Sequence, residues 1–310
     1  MTTRLTAATL KGNWATLLLP VNDDNSINED LLADEIDRLI AIGVDGIYSN
    51  GTAGEFFNQT EKEFERINGL LAEKCSKAGM RFQVGASQPS PILSLERVKK
   101  SVALKPDAIQ VILPDWVVTN SEERVHFMEQ IADAANGTPL VLYNPPHART
   151  VLTPWELMVL REAVPQLIGI KVMSGDEQWV ADIKQFAADL SVFVPGHMLA
   201  TGVSNGIASG AYSNVACINP GAAQKWWAQM QSDLEAALEL EQRIRKFFRE
   251  CIVPFQQKGY SNPALDKFLA AVGGYIHIGT RLRWPYQFIA ASEVLPVRAR
   301  AKELIPEFFN

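Results

Sequence analysis

Apolar, β-rich runs alternate with helix-periodic stretches from near the N-terminus to about residue 230, and this alternation constrains the fold more than any other feature of the sequence. Strands that alternate with helices form parallel sheets, because each helix carries the chain back to the start of the next strand. Eight runs predict strands, at residues 14–19, 46–48, 82–85, 108–112, 140–143, 168–171, 192–195 and 207–212. Eight βα units of this length predict a closed (β/α)8 barrel, an α/β fold, rather than an open doubly wound sheet.

Polar residues that cap helices stand between these strands. Asn28 precedes the first helical stretch, Thr60 and Glu63 form a capping box, Ser121 begins another stretch, and Thr153 precedes a proline. Such residues bond to the free N–H groups of a first helical turn, and proline is tolerated there. Each predicted strand is therefore followed by a predicted helix.

The β pattern stops after Pro220, and three helical stretches follow, at 221–256, 262–272 and 286–304, with prolines between them. We therefore predict two regions. Residues 1–220 form the barrel, whose eighth helix runs to about residue 231, and residues 221–310 form a C-terminal helical extension packed on the barrel.

Composition excludes several classes of protein. The net charge is −6 and the basic residues are scattered, so the sequence lacks the basic surface of a nucleic-acid-binding protein. It shows no signal-peptide pattern and no apolar segment of membrane-spanning length, so we expect a cytoplasmic protein without a membrane partner. The three cysteines and four histidines lack metal-site spacing, and no GxGxxG or Walker A motif occurs, so we predict neither a metal nor a cofactor.

Lys171 ends the apolar sixth strand, where its side chain would emerge inside the barrel mouth. Burial lowers the pKa of a lysine, and the resulting neutral amine can attack a ketone and form a Schiff base. A structural ion pair or a lysine that extends to the rim is the commoner explanation for a lysine considered alone.

Two further motifs follow strands that end at the same mouth. Tyr143 ends the fifth strand before a proline-rich turn and could exchange protons with a ligand, although a packed aromatic residue is an equally simple interpretation. The second strand leads into the segment GTAGE, residues 51–55, whose backbone N–H groups and Thr52 hydroxyl could surround a carboxylate. Alone, this segment could be only a tight turn.

In combination, GTAGE, YNPP (143–146) and GIK (169–171) resemble the dihydrodipicolinate synthase and N-acetylneuraminate lyase family, which are class I aldolases on TIM barrels. The likeness extends over essentially all 310 residues, including the segment 261–285 in the helical extension. The resemblance implies a lyase without a cofactor that binds pyruvate or another 2-oxo acid, in some members with an aldehyde acceptor, and that forms a homotetramer.

The resemblance also implies roles for individual residues. Lys171 would be the Schiff-base lysine and Tyr143 the phenol that relays protons. Thr52 would be the third catalytic residue and, with the backbone N–H of Ala53, would bind the carboxylate of the 2-oxo acid. Arg149 would bind a second carboxylate, although it stands one residue away from the usual arginine position.

Several positions depart from the family pattern. Ala53 stands where a second threonine is usual, and Trp116 stands where the synthases have a relay tyrosine. Indole has no useful acid–base capacity near neutral pH, which argues against the synthase reaction. His197 lies where sialic acid lyases carry an acidic pair, and Met173 lies where they carry threonine, so the lyase reaction is also disfavoured.

Three functions remain open from the sequence. The leading hypothesis is an aldolase-type lyase that acts beside a pyruvate-derived imine. Dehydration of a 2-keto-3-deoxy sugar acid would use the same lysine imine and differ in the leaving group. A barrel that has lost turnover and binds a small molecule is the alternative from another class, since a fold does not guarantee its chemistry.

Overall fold

Eight parallel strands form a closed barrel in the computed structural model, which describes residues 4–310. The strands are β1 (Gly12–Thr16), β2 (Gly46–Ser49), β3 (Phe82–Gly85), β4 (Ala108–Val111), β5 (Leu140–Tyr143), β6 (Leu167–Lys171), β7 (Ser191–Phe193) and β8 (Gly210–Tyr212). They follow chain order, and β8 pairs with β1 to close the sheet. The predicted (β/α)8 barrel is therefore confirmed.

Helices separate the strands and surround the barrel. They are α1 (Glu29–Ile42), α2 (Glu61–Ala78), α3 (Pro91–Val102), α4 (Ser121–Ala134), α5 (Pro154–Ala163), α6 (Glu177–Phe186), α7 (Leu199–Ser204) and α8 (Asn214–Ile218). The caps at Asn28, Thr60 and Thr153 occur as predicted. Helix α4 is capped by Asn120 rather than by Ser121, since the Asn120 side chain accepts from the Glu123 N–H.

The C-terminal region contains more helices than predicted. They are α9 (Pro220–Ser232), α10 (Leu234–Phe247), the π-helical turn Phe248–Ile252, α11 (Val253–Gln257), α12 (Asn262–Gly273) and α13 (Val294–Leu304). The stretch predicted at 221–256 is divided at Asp233, whose side chain caps α10. The division of the chain at residue 220 stays a prediction.

The start of the last helix was predicted wrongly. The stretch predicted at 286–304 is α-helical only from Val294. Tyr286 packs edge-on against Phe57, with ring centroids 5.0 Å apart, and Ile289 is fully buried. These tertiary contacts hold residues 286–290 in an irregular path that a local sequence pattern does not reveal.

Aromatic side chains fill the inside of the barrel. The Tyr212 ring centroid lies 4.7 Å from that of Tyr48 and 4.5 Å from that of Phe193, and Trp14 packs on the same ring. A larger apolar layer separates the sheet from the helices. Close packing on both faces of the sheet gives a rigid base for side chains at the ends of the strands. Within residues 4–310, no helix is long and apolar enough to cross a membrane.

Candidate active site

Lys171 and Tyr143 are direct neighbours at the carboxyl ends of two adjacent strands. Tyr143 of β5 pairs in register with Lys171 of β6. The Lys171 Nζ lies 4.2 Å from the centroid of the Tyr143 ring. The structure therefore brings together two of the three residues that the sequence predicts to be catalytic.

Two more tyrosines complete the surroundings of the amine. The Lys171 Nζ lies 3.4 Å from the Tyr48 hydroxyl, and 5.1 and 5.5 Å from the ring centroids of Tyr48 and Tyr212. The sequence analysis missed both residues. Side chains alternate along a strand, so the inward faces of β2 and β8 could have been identified from that periodicity.

The environment of Lys171 favours a neutral amine more than water does. Burial lowers the pKa of the Lys171 ammonium to about 8, while the negative charge of Asp266 acts in the opposite direction. Roughly one tenth of the side chain is therefore unprotonated at pH 7, far more than for a lysine in water. An unprotonated amine in a cavity is the nucleophile that imine chemistry requires.

Tyr143 keeps its proton under the same conditions. Burial raises the pKa of its phenol, and the nearby Asp266 charge adds to this, whereas the neighbouring Thr52 hydroxyl opposes it. A protonated phenol beside the amine can donate to an oxygen that develops negative charge. Tyr143 and Thr52 thus lie next to each other, as a shared role would require.

The loop after β2 holds Thr52 and Ala53 at the barrel mouth. A Cβ atom at Gly51 would lie 2.6 Å from the Tyr48 ring, so only glycine allows this close approach. Ala53 is buried, and within residues 4–310 its backbone N–H donates to no acceptor. This N–H group and the Thr52 hydroxyl are available to bind a small anion.

A buried ion pair fixes that loop to the C-terminal region. The Glu55 carboxylate lies 2.7 Å from the Lys267 Nζ on α12, and both side chains are fully buried. The second Glu55 oxygen accepts from the Arg283 N–H, and the Lys267 ammonium also donates to the Arg281 carbonyl. The segment 261–285 therefore positions the GTAGE loop.

We expect Lys267→Met to lower the free energy of unfolding by about 3–5 kcal/mol, because it leaves the Glu55 carboxylate buried without a cation. Urea unfolding would measure this change. As a control, Lys246→Met removes a half-exposed lysine with a 3.9 Å ion pair and should change stability by less than about 1 kcal/mol. An unfolding midpoint of Lys267→Met equal to that of the wild type would contradict the expectation.

Arg149 lies on the cavity wall, but its guanidinium binds a neighbouring loop. The Nη1 donates to the Trp116 carbonyl at 2.8 Å, and the Arg149 backbone N–H donates to the Asp115 carboxylate at 2.7 Å. These bonds join the loops after β4 and β5. A role of Arg149 in substrate binding stays a prediction.

The residues that depart from the family pattern also lie around this mouth. Trp116 is 84% exposed at the rim. His197 is hydrogen-bonded to Asn214 and stacked on Phe248, with centroids 4.9 Å apart. Burial lowers the pKa of His197, so its imidazole is neutral near neutral pH.

A cavity of about 1300 Å³ lies at this end of the barrel. The five residues predicted for the site line it, namely Lys171, Tyr143, Thr52, Ala53 and Arg149. Asp266, from α12, also lines the cavity and was missed by the sequence analysis. It lies in the helical extension, 95 positions after Lys171, and no motif marks it.

Comparison with known proteins identifies the family. The family model described as the dihydrodipicolinate synthetase family matches residues 9–302. The chain belongs to this family. As a member of this family, the protein is a lyase of the class I aldolase type, as the resemblance implied.

Relatives with different activities match at similar identity. A 4-hydroxy-tetrahydrodipicolinate synthase from Bartonella bacilliformis is 25% identical over 299 residues, which cover 96% of each chain. An N-acetylneuraminate lyase from Escherichia coli is 27% identical over 188 residues, which cover 60% of this chain and 63% of the lyase. Membership of the dihydrodipicolinate synthetase family therefore does not select one reaction.

Two solved structures illustrate that the fold is shared. YagE, a prophage protein of this family from E. coli K12 determined with pyruvate, gives a TM-score of 0.83 at 20% identity and covers 95% of this chain and 98% of its own. CdNal from Clostridium difficile, determined with mannosamine, gives a TM-score of 0.81 at 20% identity. The match covers 97% of this chain and 99% of CdNal. At such identities the likeness is one of fold.

Proposed function

We propose that the protein is a Schiff-base-forming lyase in which Lys171 reacts with pyruvate or another 2-oxo acid. The observation that carries this proposal is the position of the Lys171 amine, which lies in the barrel mouth among three tyrosines with its pKa lowered to about 8. Thr52 and the Ala53 N–H lie in the same cavity and are suited to the carboxylate of the acid.

The proposed reaction begins when the Lys171 nitrogen bonds to the ketone carbon of the 2-oxo acid and the ketone oxygen leaves as water. Loss of a proton from the neighbouring methyl carbon converts the iminium ion into an enamine. The enamine carbon then attacks the carbonyl carbon of an aldehyde, and the aldehyde oxygen takes a proton from the Tyr143 hydroxyl. Water finally hydrolyses the iminium, which releases the product, returns a proton to the Tyr143 phenolate and frees the neutral Lys171 amine.

Pyruvate is the first 2-oxo acid to test, since the YagE structure was determined with it. The enamine step can be followed without knowing the acceptor, because the methyl protons of pyruvate exchange with deuterated water each time the enamine forms and reverts. We expect enzyme-dependent loss of the methyl signal in proton NMR. Absence of exchange with pyruvate and with several longer 2-oxo acids would refute the proposal and favour a barrel that only binds a ligand.

Dehydration of a 2-keto-3-deoxy sugar acid remains the second reaction of the same imine. Trp116 stands at the position of a relay tyrosine and cannot supply its acid–base group. This departure from the synthase pattern is a reason to test the dehydration. NMR of the products separates the two reactions, since an aldol cleavage divides the carbon chain into a 2-oxo acid and an aldehyde, whereas a dehydration releases water and keeps the carbon chain intact. The homotetramer and the cytoplasmic location implied by the sequence analysis stay predictions.

A further inference from the structure

Asp266 is a carboxylate that lines the active-site cavity. It lies on α12, half-buried, and its side chain lines the cavity that contains Lys171. The adjacent Lys267 does not line the cavity and forms the buried ion pair with Glu55. Neighbouring residues of one helix thus serve different purposes, since Lys267 holds the GTAGE loop and Asp266 faces the cavity.

The Asp266 carboxylate makes no hydrogen bond or ion pair with any group in the described part of the chain, residues 4–310. The other carboxylate that lines the cavity, Asp115, accepts the Arg149 N–H at 2.7 Å. Enclosing a carboxylate removes part of its hydration. This costs free energy unless a nearby positive charge or hydrogen-bond donor offsets the loss. Asp266 is thus the cavity carboxylate that a cation in the reaction could use.

Four titratable groups on four elements interact with the Asp266 charge. They are Tyr48 of β2, Tyr143 of β5, Lys171 of β6 and Cys217 of α8. The tyrosines and the cysteine have raised pKa values because burial disfavours their anions, so they are neutral near neutral pH. Lys171 is the one member of this set that carries positive charge.

The reaction proposed above places a full positive charge at this point. The neutral Lys171 amine and the ketone take up one proton as the carbon–nitrogen double bond forms and the ketone oxygen leaves as water. The product is an iminium cation where a neutral amine stood before. In a cavity with apolar walls, such a cation is costly unless an opposite charge lies near it.

We propose that Asp266 is the counter-ion of the Lys171 iminium and that it stabilises this cationic intermediate from within the same cavity. The proposal rests on the imine at Lys171 and adds a residue from the helical extension to the reaction. Asp266 also stabilises the ammonium form of free Lys171, so its carboxylate raises the pH at which the amine becomes nucleophilic. It therefore favours the iminium at the expense of some free amine.

These two effects have opposite signs in a neutral variant, which makes the proposal testable. In Asp266→Asn, the Lys171 ammonium loses a stabilising charge, so its pKa falls and imine formation begins at lower pH. The iminium loses the same stabilisation, so turnover falls. We expect the apparent pKa of imine formation to move down by about one unit and the rate of pyruvate deuterium exchange at saturation to fall on the order of 10-fold or more.

The experiment measures borohydride trapping of pyruvate against pH for the wild type, Asp266→Asn, Asp266→Ser and Asp266→Glu. The two neutral variants should share the downward shift, and Asp266→Glu, which keeps the charge, should retain the wild-type profile. Asp115→Asn is the matched control, because it neutralises the other cavity carboxylate and should leave the apparent pKa unchanged. Circular dichroism checks that each variant is folded, and either neutral variant suffices for the test.

The outcomes separate this proposal from the one on which it rests. Trapping by the wild type with unchanged profiles in the folded neutral variants would overturn the counter-ion role and leave the Lys171 imine intact. Failure of the wild type to trap any 2-oxo acid would overturn both. A loss of activity in Asp266→Asn without a shift of the apparent pKa would indicate a structural role and would also overturn the counter-ion role.

Discussion

Replacing Lys171 with alanine is expected to lower kcat/KM by roughly five orders of magnitude or more, the scale seen when an enzyme loses its covalent nucleophile. Without the amine no imine can form, and the surrounding tyrosines offer no substitute, because burial raises their pKa values and keeps them protonated. Steady-state assays with the substrate found by NMR, together with pyruvate exchange, would measure the loss.

The matched control for this variant is Lys184→Ala, which removes an exposed lysine of α6 outside the cavity. It should keep wild-type activity. Lys171→Ala should remain folded, because the change removes a buried amine that makes no ion pair in the described chain. Persistent exchange of pyruvate in the folded Lys171→Ala protein would show that another group carries the chemistry.

The second large effect is expected from Tyr143→Phe, which should lower kcat by about 10²- to 10³-fold with a smaller change in KM. Phenylalanine keeps the ring that lies 4.2 Å from the Lys171 Nζ and removes only the hydroxyl beside Thr52. The variant therefore isolates proton transfer from packing. Borohydride trapping should still occur at Lys171, although more slowly.

Tyr275→Phe is the control for Tyr143→Phe, since Tyr275 is a largely buried tyrosine that does not line the cavity. Its activity should match that of the wild type. A kcat of Tyr143→Phe within a factor of about three of the wild type would contradict a role of the phenol in proton transfer.

The barrel could be predicted from the sequence because each of its strands and helices is marked by a local pattern of apolar and polar residues. Eight apolar runs with helices between them leave few alternatives, and the residues at the carboxyl ends of strands then share one mouth. Lys171 and Tyr143 were found in this way, and the structure places them side by side. The comparisons add the family, which the three short motifs had already indicated.

Features that depend on contacts between distant parts of the chain could not be predicted from the sequence. Asp266 lies on a helix that is joined to the GTAGE loop by the Glu55–Lys267 ion pair between distant parts of the chain, and no spacing in the sequence reveals that pair. The irregular path before α13 depends on contacts such as that of Tyr286 with Phe57. Arg149 lines the cavity, and its bond to the Trp116 carbonyl follows from loop geometry that the sequence does not reveal.

The central claim, an imine at Lys171, is tested most directly by borohydride reduction of the protein in the presence of pyruvate, followed by peptide mass spectrometry. The imine predicts a carboxyethyl group on the peptide that contains Lys171 and none on that peptide when pyruvate or borohydride is omitted. No modification with pyruvate or with any other 2-oxo acid, or modification confined to other lysines, would contradict it.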